Sequence, residues 1–192
     1  MHPSNLEKII HLRHALHQQP ELSMQESGTI GILQDFLREN TRLEICPQDG
    51  WFYALKKGLS DSGCNGLKKE LSDPGCDDED WTGHSIAPIA FRADMDALPV
   101  PETIALPYGS QNAGISHKCG HDGHCAALCG LALELSGMET ARDVYLIFQP
   151  GEEIGAGALL CRDLIREKGS GKSMPFTTWA AIRRGLSSIA GD

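Results

Sequence analysis

The stretch that decides the fold is Val144-Tyr145-Leu146-Ile147-Phe148-Gln149-Pro150-Gly151-Glu152-Glu153. Its apolar run, Val144–Phe148, is too short for a helix and rich in β-branched and aromatic residues, so it reads as a short buried strand closed by a Pro-Gly turn. Working outward, His124–Leu135 is apolar enough for a buried helix, and Gly157–Lys168 reads as another, with Leu159, Leu160, Leu164 and Ile165 inward. Trp51–Leu55 and Ile86–Arg92 read as two further strands. Buried strands alternating with helices indicate an α/β layered sheet, and ligands in such folds gather at the carboxyl ends of the strands.

The N-terminal part supplies two more helices. Asn5 is placed to cap the first, in which Leu6, Ile9, Ile10 and Leu16 recur at helical spacing before Pro20 ends it. The second covers Glu26–Glu39, with Ile30, Leu33, Phe36 and Leu37 on one face. Between the strands the composition changes. Residues 56–83 hold a tandem repeat, Lys56–Cys64 returning as Lys68–Cys76, which reads as a polar loop enlarged by duplication. Its Cys64 and Cys76 are too few to close a tetrahedral site.

Acidic residues outnumber basic ones, 26 to 17, for a net charge of -9. That balance opposes nucleic-acid binding, which needs clustered Lys and Arg, and leaves a small molecule as the expected partner. No run approaches the ~20 apolar residues that span a membrane, and Met1–Ile10 is too polar for a signal peptide. Seven cysteines, an odd count without a compact framework, suit a reducing cytoplasm.

Three motifs follow strand ends. Arg92-Ala93-Asp94-Met95-Asp96-Ala97-Leu98-Pro99 offers two aspartates, which taken alone equally suit a solvated turn. His117-Lys118-Cys119-Gly120-His121-Asp122-Gly123-His124 packs five side chains with metal-binding chemistry into eight residues. Thiolate, imidazole and carboxylate are the ligands of zinc and its first-row neighbours. A zinc knuckle that only staples the chain would need a second Cys/His pair at a distance, and Cys125 and Cys129 read as core residues. In the third motif, Glu152 and Glu153 follow a buried strand. Adjacent side chains point differently, so one carboxylate is free to bind a metal while the other faces an attacking water. Gly169-Ser170-Gly171-Lys172-Ser173 ends like a phosphate-binding loop, but Arg166 stands where its first glycine belongs.

In this order the motifs resemble the metal-dependent aminoacylase/carboxypeptidase family of amidohydrolases. The family includes hippurate hydrolases, N-acyl-amino-acid amidohydrolases and plant hydrolases of auxin–amino acid conjugates. The segment Arg13–Ser23 is similar to the family's opening helix and turn. The resemblance spans residues 5–55 and 86–168. It implies a three-layer α/β/α zinc-peptidase-like catalytic domain that hydrolyses the amide of N-acyl amino acids with two divalent cations, zinc or manganese first and cobalt or nickel next. By resemblance Cys119, His121 and Glu153 are metal ligands, Glu152 is the general base, and Asp96 is the acidic residue supporting the catalytic site. Asp94 lies where more distant members carry a ligand histidine.

Members of the family carry a further histidine ligand after the Glu-Glu motif, then an inserted dimerisation domain, then a last histidine ligand. No histidine follows His124 here. The expected organisation is therefore an incomplete catalytic domain over 1–168 without the dimerisation domain, and an aberrant tail over 169–192. A reading-frame shift accounts for such a tail. Joining each codon's last base to the next two turns Met174-Pro175 into alanine and Trp179-Ala180 into glycine, as the family's histidine segment has them. The expectation is an amidohydrolase by descent with impaired activity; the alternative is a noncatalytic metal-binding or interaction fragment, and the homodimer of intact relatives is doubtful for this chain.

Overall fold

The computed structural model describes residues 2–59, 87–168 and the strand at 176–178. Most of the 56–83 repeat, the Gly169–Ser173 motif and nearly all of the 169–192 tail lie outside the described residues.

Element order is α1 (Pro3–Gln18), α2 (Ser27–Asn40), β1 (Glu44–Pro47), β2 (Phe52–Lys56), β3 (Ile89–Asp94), α3 (His121–Ser136), β4 (Val144–Gln149), α4 (Gly157–Lys168) and β5 (Phe176–Thr178). The strands form one mixed sheet in the order β1-β2-β4-β3-β5. β4 runs parallel to β3 and antiparallel to β2, and every residue of it is buried. This explains its unbroken apolar run, since a central strand covered on both faces has no side to offer solvent. Rings of Phe52 and Phe148, directly opposite in register, stack at 4.5 Å in the core. α1 packs on α3, and α3 on β3 and β4. α4 covers the face of the sheet that carries Arg92 and Gln149.

Several sequence expectations shift. The cap of α1 is His2, whose ring nitrogen accepts from the Ser4 amide at 3.3 Å. Asn5 instead donates to Glu134 at 3.2 Å, tying α1 to α3. Leu6 and Ile10 are exposed, because α1 turns Leu12 and Leu16 inward, four residues apart on one stripe. Leu159 and Leu160 are exposed for the same reason: Cys161, Leu164 and Ile165 form the inward stripe of α4. On α2, Leu33 and Leu37 are buried with Ile30 and Phe36 packed beside them, as expected. The strand expected from Ile86 begins at Ile89, and β1 and β5 were not anticipated.

Cys46, Cys119, Cys125, Cys129 and Cys161 are free thiols, and Cys125 and Cys129 sit in the core as expected. Among the described residues no helix is long and apolar enough to cross a membrane.

Candidate metal centre

Parallel register brings the site together. β3 and β4 end level, Asp94 opposite Gln149, and the Met95 amide donates to the Gln149 carbonyl at 2.9 Å. The Asp94–Asp96 and Gly151–Glu153 segments therefore leave the sheet side by side, at the carboxyl ends where ligands collect.

Glu152 and Glu153 occupy a tight turn. Gly151 and Gly155 hold the left-handed region, at φ 55° and 71°. The amides of Ala156 and Gly157 return to the Gly151 carbonyl at 3.1 and 3.2 Å. The third motif turns at Gly120, left-handed at φ 81°, immediately before α3 begins at His121.

Cys119, His121 and Glu153 converge, offering one ligand atom each with all three atoms within 4.8 Å of one another. The Glu153 Oε1 atom is buried without a hydrogen-bond partner. Thiolate, imidazole and carboxylate around an orphaned buried oxygen fit a first-row divalent cation. Glu152 stands at the rim with its side chain 41% exposed, its Oε2 3.9 Å from His121 Nε2; Glu153 Oε1 lies at the same distance from that nitrogen.

Asp96 lies beneath this group rather than in it. Its carboxylate accepts from Ser23 Oγ at 2.7 Å and from the Glu153 amide at 2.9 Å. His121 Nδ1 lies 2.8 Å from the Asp96 carbonyl and 3.3 Å from its carboxylate. Burial alone would raise the Asp96 carboxyl, but the hydrogen bonds from His121, the Glu153 amide and Ser23 pull it down to about 2. Asp94 is raised, because burial outweighs the neighbouring Arg92. The Cys119 thiol, although exposed, is pushed up to about 11, first by its hydrogen bond to Glu153 and then by partial desolvation. A cation between the two would reverse that preference by displacing the shared proton.

Of the other side chains in the His117–His124 motif, His117 is buried with both ring nitrogens unpartnered, and Asp122 turns to His17 at 2.8 Å. Sequence reasoning passed over four supporting residues. Ser23 holds Asp96; Glu26, 2% exposed, accepts the Gly151 amide at 2.8 Å; His17 and Glu102 grip the segment around Cys119. Three of these lie in or just after the opening segment, where polar residues at a helix end carry no signal of what they will meet 70 to 130 residues later.

Residues 90–177 match the model of peptidase family M20/M25/M40. The Asp94–Asp96, Cys119–His121 and Glu152–Glu153 segments all fall within that match. The chain is 41% identical over 159 residues to N-acetyl-L-cysteine deacetylase of Bacillus subtilis (strain 168), covering 81% of this chain and 32% of that protein. An uncharacterised hydrolase of Staphylococcus aureus (strain USA300) is 35% identical over 159 residues, covering 81% and 35%. Among solved structures, a dinuclear metal-binding M20 peptidase from Bacillus subtilis superposes with a TM-score of 0.71 at 30% identity, over 93% of this chain and 43% of that one. The chain spans about a third of the length of the curated relatives it matches.

Proposed function

We propose that this chain is part of an M20-type, metal-dependent hydrolase of amide bonds in N-acyl amino acids or related small amides. The observation that carries the reading is the convergence of Cys119, His121 and Glu153 within 4.8 Å, with Glu152 beside them. Cys119, His121 and Glu153 would hold a divalent cation, zinc or manganese first, with cobalt or nickel as alternatives. When bound, the cation supplies Lewis-acid polarisation of the amide carbonyl. The chain's own residues do the rest. Glu152, partly exposed at the rim, takes a proton from the attacking water and returns it to the departing amine. Asp96 is a positioning residue: it orients His121 and the Glu153 backbone, and a buried carboxylate behind a ligand imidazole fixes the ring and raises its basicity. The deacetylase relative supports an N-acyl amino acid as substrate. Free thiols are in keeping with a reducing cytoplasm.

The deciding experiment compares the chain with Glu152→Gln. Metal binding should survive in both, and metal-dependent release of amino acid from N-acyl substrates should be lost in the variant by a factor of about 10² or more. Turnover that is indifferent to Glu152 would refute its role as base.

A second reading, noncatalytic binding of one cation, is favoured by ligand count. One three-ligand group is found among the described residues, whereas the Bacillus peptidase is dinuclear. It predicts tight metal binding without turnover in the unmodified chain.

A further inference from the structure

We propose that His17 is a positioning residue for the metal centre, fixing through Asp122 and Glu102 the two flanks of the Cys119–His121 segment. The proposal rests on the metal-binding reading above. His17 sits on the last turn of α1 and is 6% exposed. Its Nδ1 lies 2.8 Å from Asp122 Oδ2 and its Nε2 3.2 Å from Glu102 Oε1. Both ring nitrogens thus face a carboxylate, so the ring bridges the two acids. Asp122 directly follows His121. Glu102 in turn accepts from Lys118 Nζ at 3.0 Å and from the Ser110 amide at 2.8 Å, and Lys118 directly precedes Cys119. The bonded series Lys118–Glu102–His17–Asp122 thus brackets Cys119, Gly120 and His121.

That segment needs an external brace. Gly120, between the two ligands, has the left-handed backbone and no side chain to pack, and Cys119 is exposed. The distance between the Cys119 sulfur and the His121 ring therefore depends on what holds the residues on either side. α1 is well anchored for the task. Arg13 Nε adds a contact to the same Asp122 oxygen at 3.3 Å, and Tyr108 packs edge-on against the His17 ring at 5.6 Å. The Gln111 amide donates to the Gln18 carbonyl at 2.8 Å, closing the loop that carries Glu102 onto the end of α1. The other Asp122 oxygen is buried without a partner, so the acid has little else to hold it. None of these contacts is to a ligand atom; His17 acts through the neighbours of the ligands.

The test uses the whole 192-residue chain with cobalt(II) as probe, reading its affinity by chelator competition and the near-ultraviolet charge-transfer band of the Cys119 thiolate. His17→Ala should weaken cobalt binding about 10–100-fold, the usual range for loss of a residue behind the ligands, and should alter the band. Glu102→Gln, which preserves shape, should move both in the same direction by less. Asn5→Ala breaks the tie of α1 to Glu134 at the far end of the same helix pair; it should lower thermal stability and leave affinity and band unchanged. Wild-type affinity and spectrum in a folded His17→Ala overturn the proposal. Should His17→Ala not fold, Glu102→Gln decides, and wild-type behaviour there overturns it equally. If the unmodified chain shows no Cys119-dependent band at all, the metal-binding reading itself fails and the proposal falls with it.

Discussion

His121 is held from behind by Asp96. Its Nδ1 lies 2.8 Å from the Asp96 carbonyl and 3.3 Å from the carboxylate, leaving Nε2 to face Glu152 and Glu153, both at 3.9 Å. The same carboxylate accepts the Glu153 amide, so one buried acid sets the aim of two proposed ligands that lie far apart in sequence.

Asp96→Asn keeps the shape and removes the charge: its oxygen can still accept from the Glu153 N–H and the Ser23 hydroxyl, but its amide group then faces His121 Nδ1 where a carboxylate oxygen stood. Metal affinity should fall about 10–100-fold, measured by chelator competition on the purified chain. Unchanged affinity would mean that the carboxylate does not orient the site.

Glycines provide a sharp pair of stability predictions. A Cβ on Gly157 would lie 1.5 Å from the Pro150 carbonyl oxygen, whereas one on Gly31, within α2, would meet nothing within 4 Å. Gly157→Ala should therefore destabilise well beyond the ~1 kcal/mol typical of a point substitution, by forcing open the turn that carries Glu152 and Glu153. Gly31→Ala should stabilise by about 0.5–1 kcal/mol through reduced freedom of the unfolded chain. Midpoints of urea denaturation measure both.

Much of this was legible in the sequence, for identifiable reasons. β4 could be read because a strand buried on both faces must be apolar throughout, and α4 was bounded correctly at Gly157 and Lys168. That Cys119, His121 and Glu153 come together was expected from the family resemblance, with the dense run of ligand-type side chains at His117–His124 pointing to metal chemistry beside it. The inward faces of α1 and α4 were misjudged at Leu6, Ile10, Leu159 and Leu160, since apolar residues on adjacent stripes look alike until packing chooses between them. β1 was missed because its pattern, exposed at Glu44 and Pro47, carries little apolar signal. The roles of Ser23, Glu26 and His17 are set by partners distant in sequence, which local pattern does not reveal.

Stability should depend on pH through His117. Burial lowers its ring from the ordinary 6.5 to about 4. Between those values the unfolded chain binds a proton that the folded chain refuses, so stability is full above about 6.5 and falls as pH drops toward 4. In the metal-free chain, His117→Gln should flatten the denaturation midpoint across that window. A midpoint that falls equally steeply in the variant would assign the acid sensitivity elsewhere.

Chelation separates a metal centre grafted on a fold from a metal that makes the fold. The core formed by Phe52, Phe148, Leu146, Leu33 and Leu37 is fully buried and includes none of the proposed ligands. Removing the metal should therefore cost only the linkage energy, about 2.7 kcal/mol at a free metal concentration of 100 Kd. For a chain of this size that lowers Tm by roughly 5–10 °C. Thermal melts followed by far-ultraviolet circular dichroism, with and without EDTA, should show a shifted transition with the folded baseline retained. A structural zinc module behaves otherwise, since its binding energy is its folding energy and chelation unfolds it. Loss of the folded baseline at 25 °C on adding EDTA would therefore move Cys119 and His121 from a catalytic to a structural role.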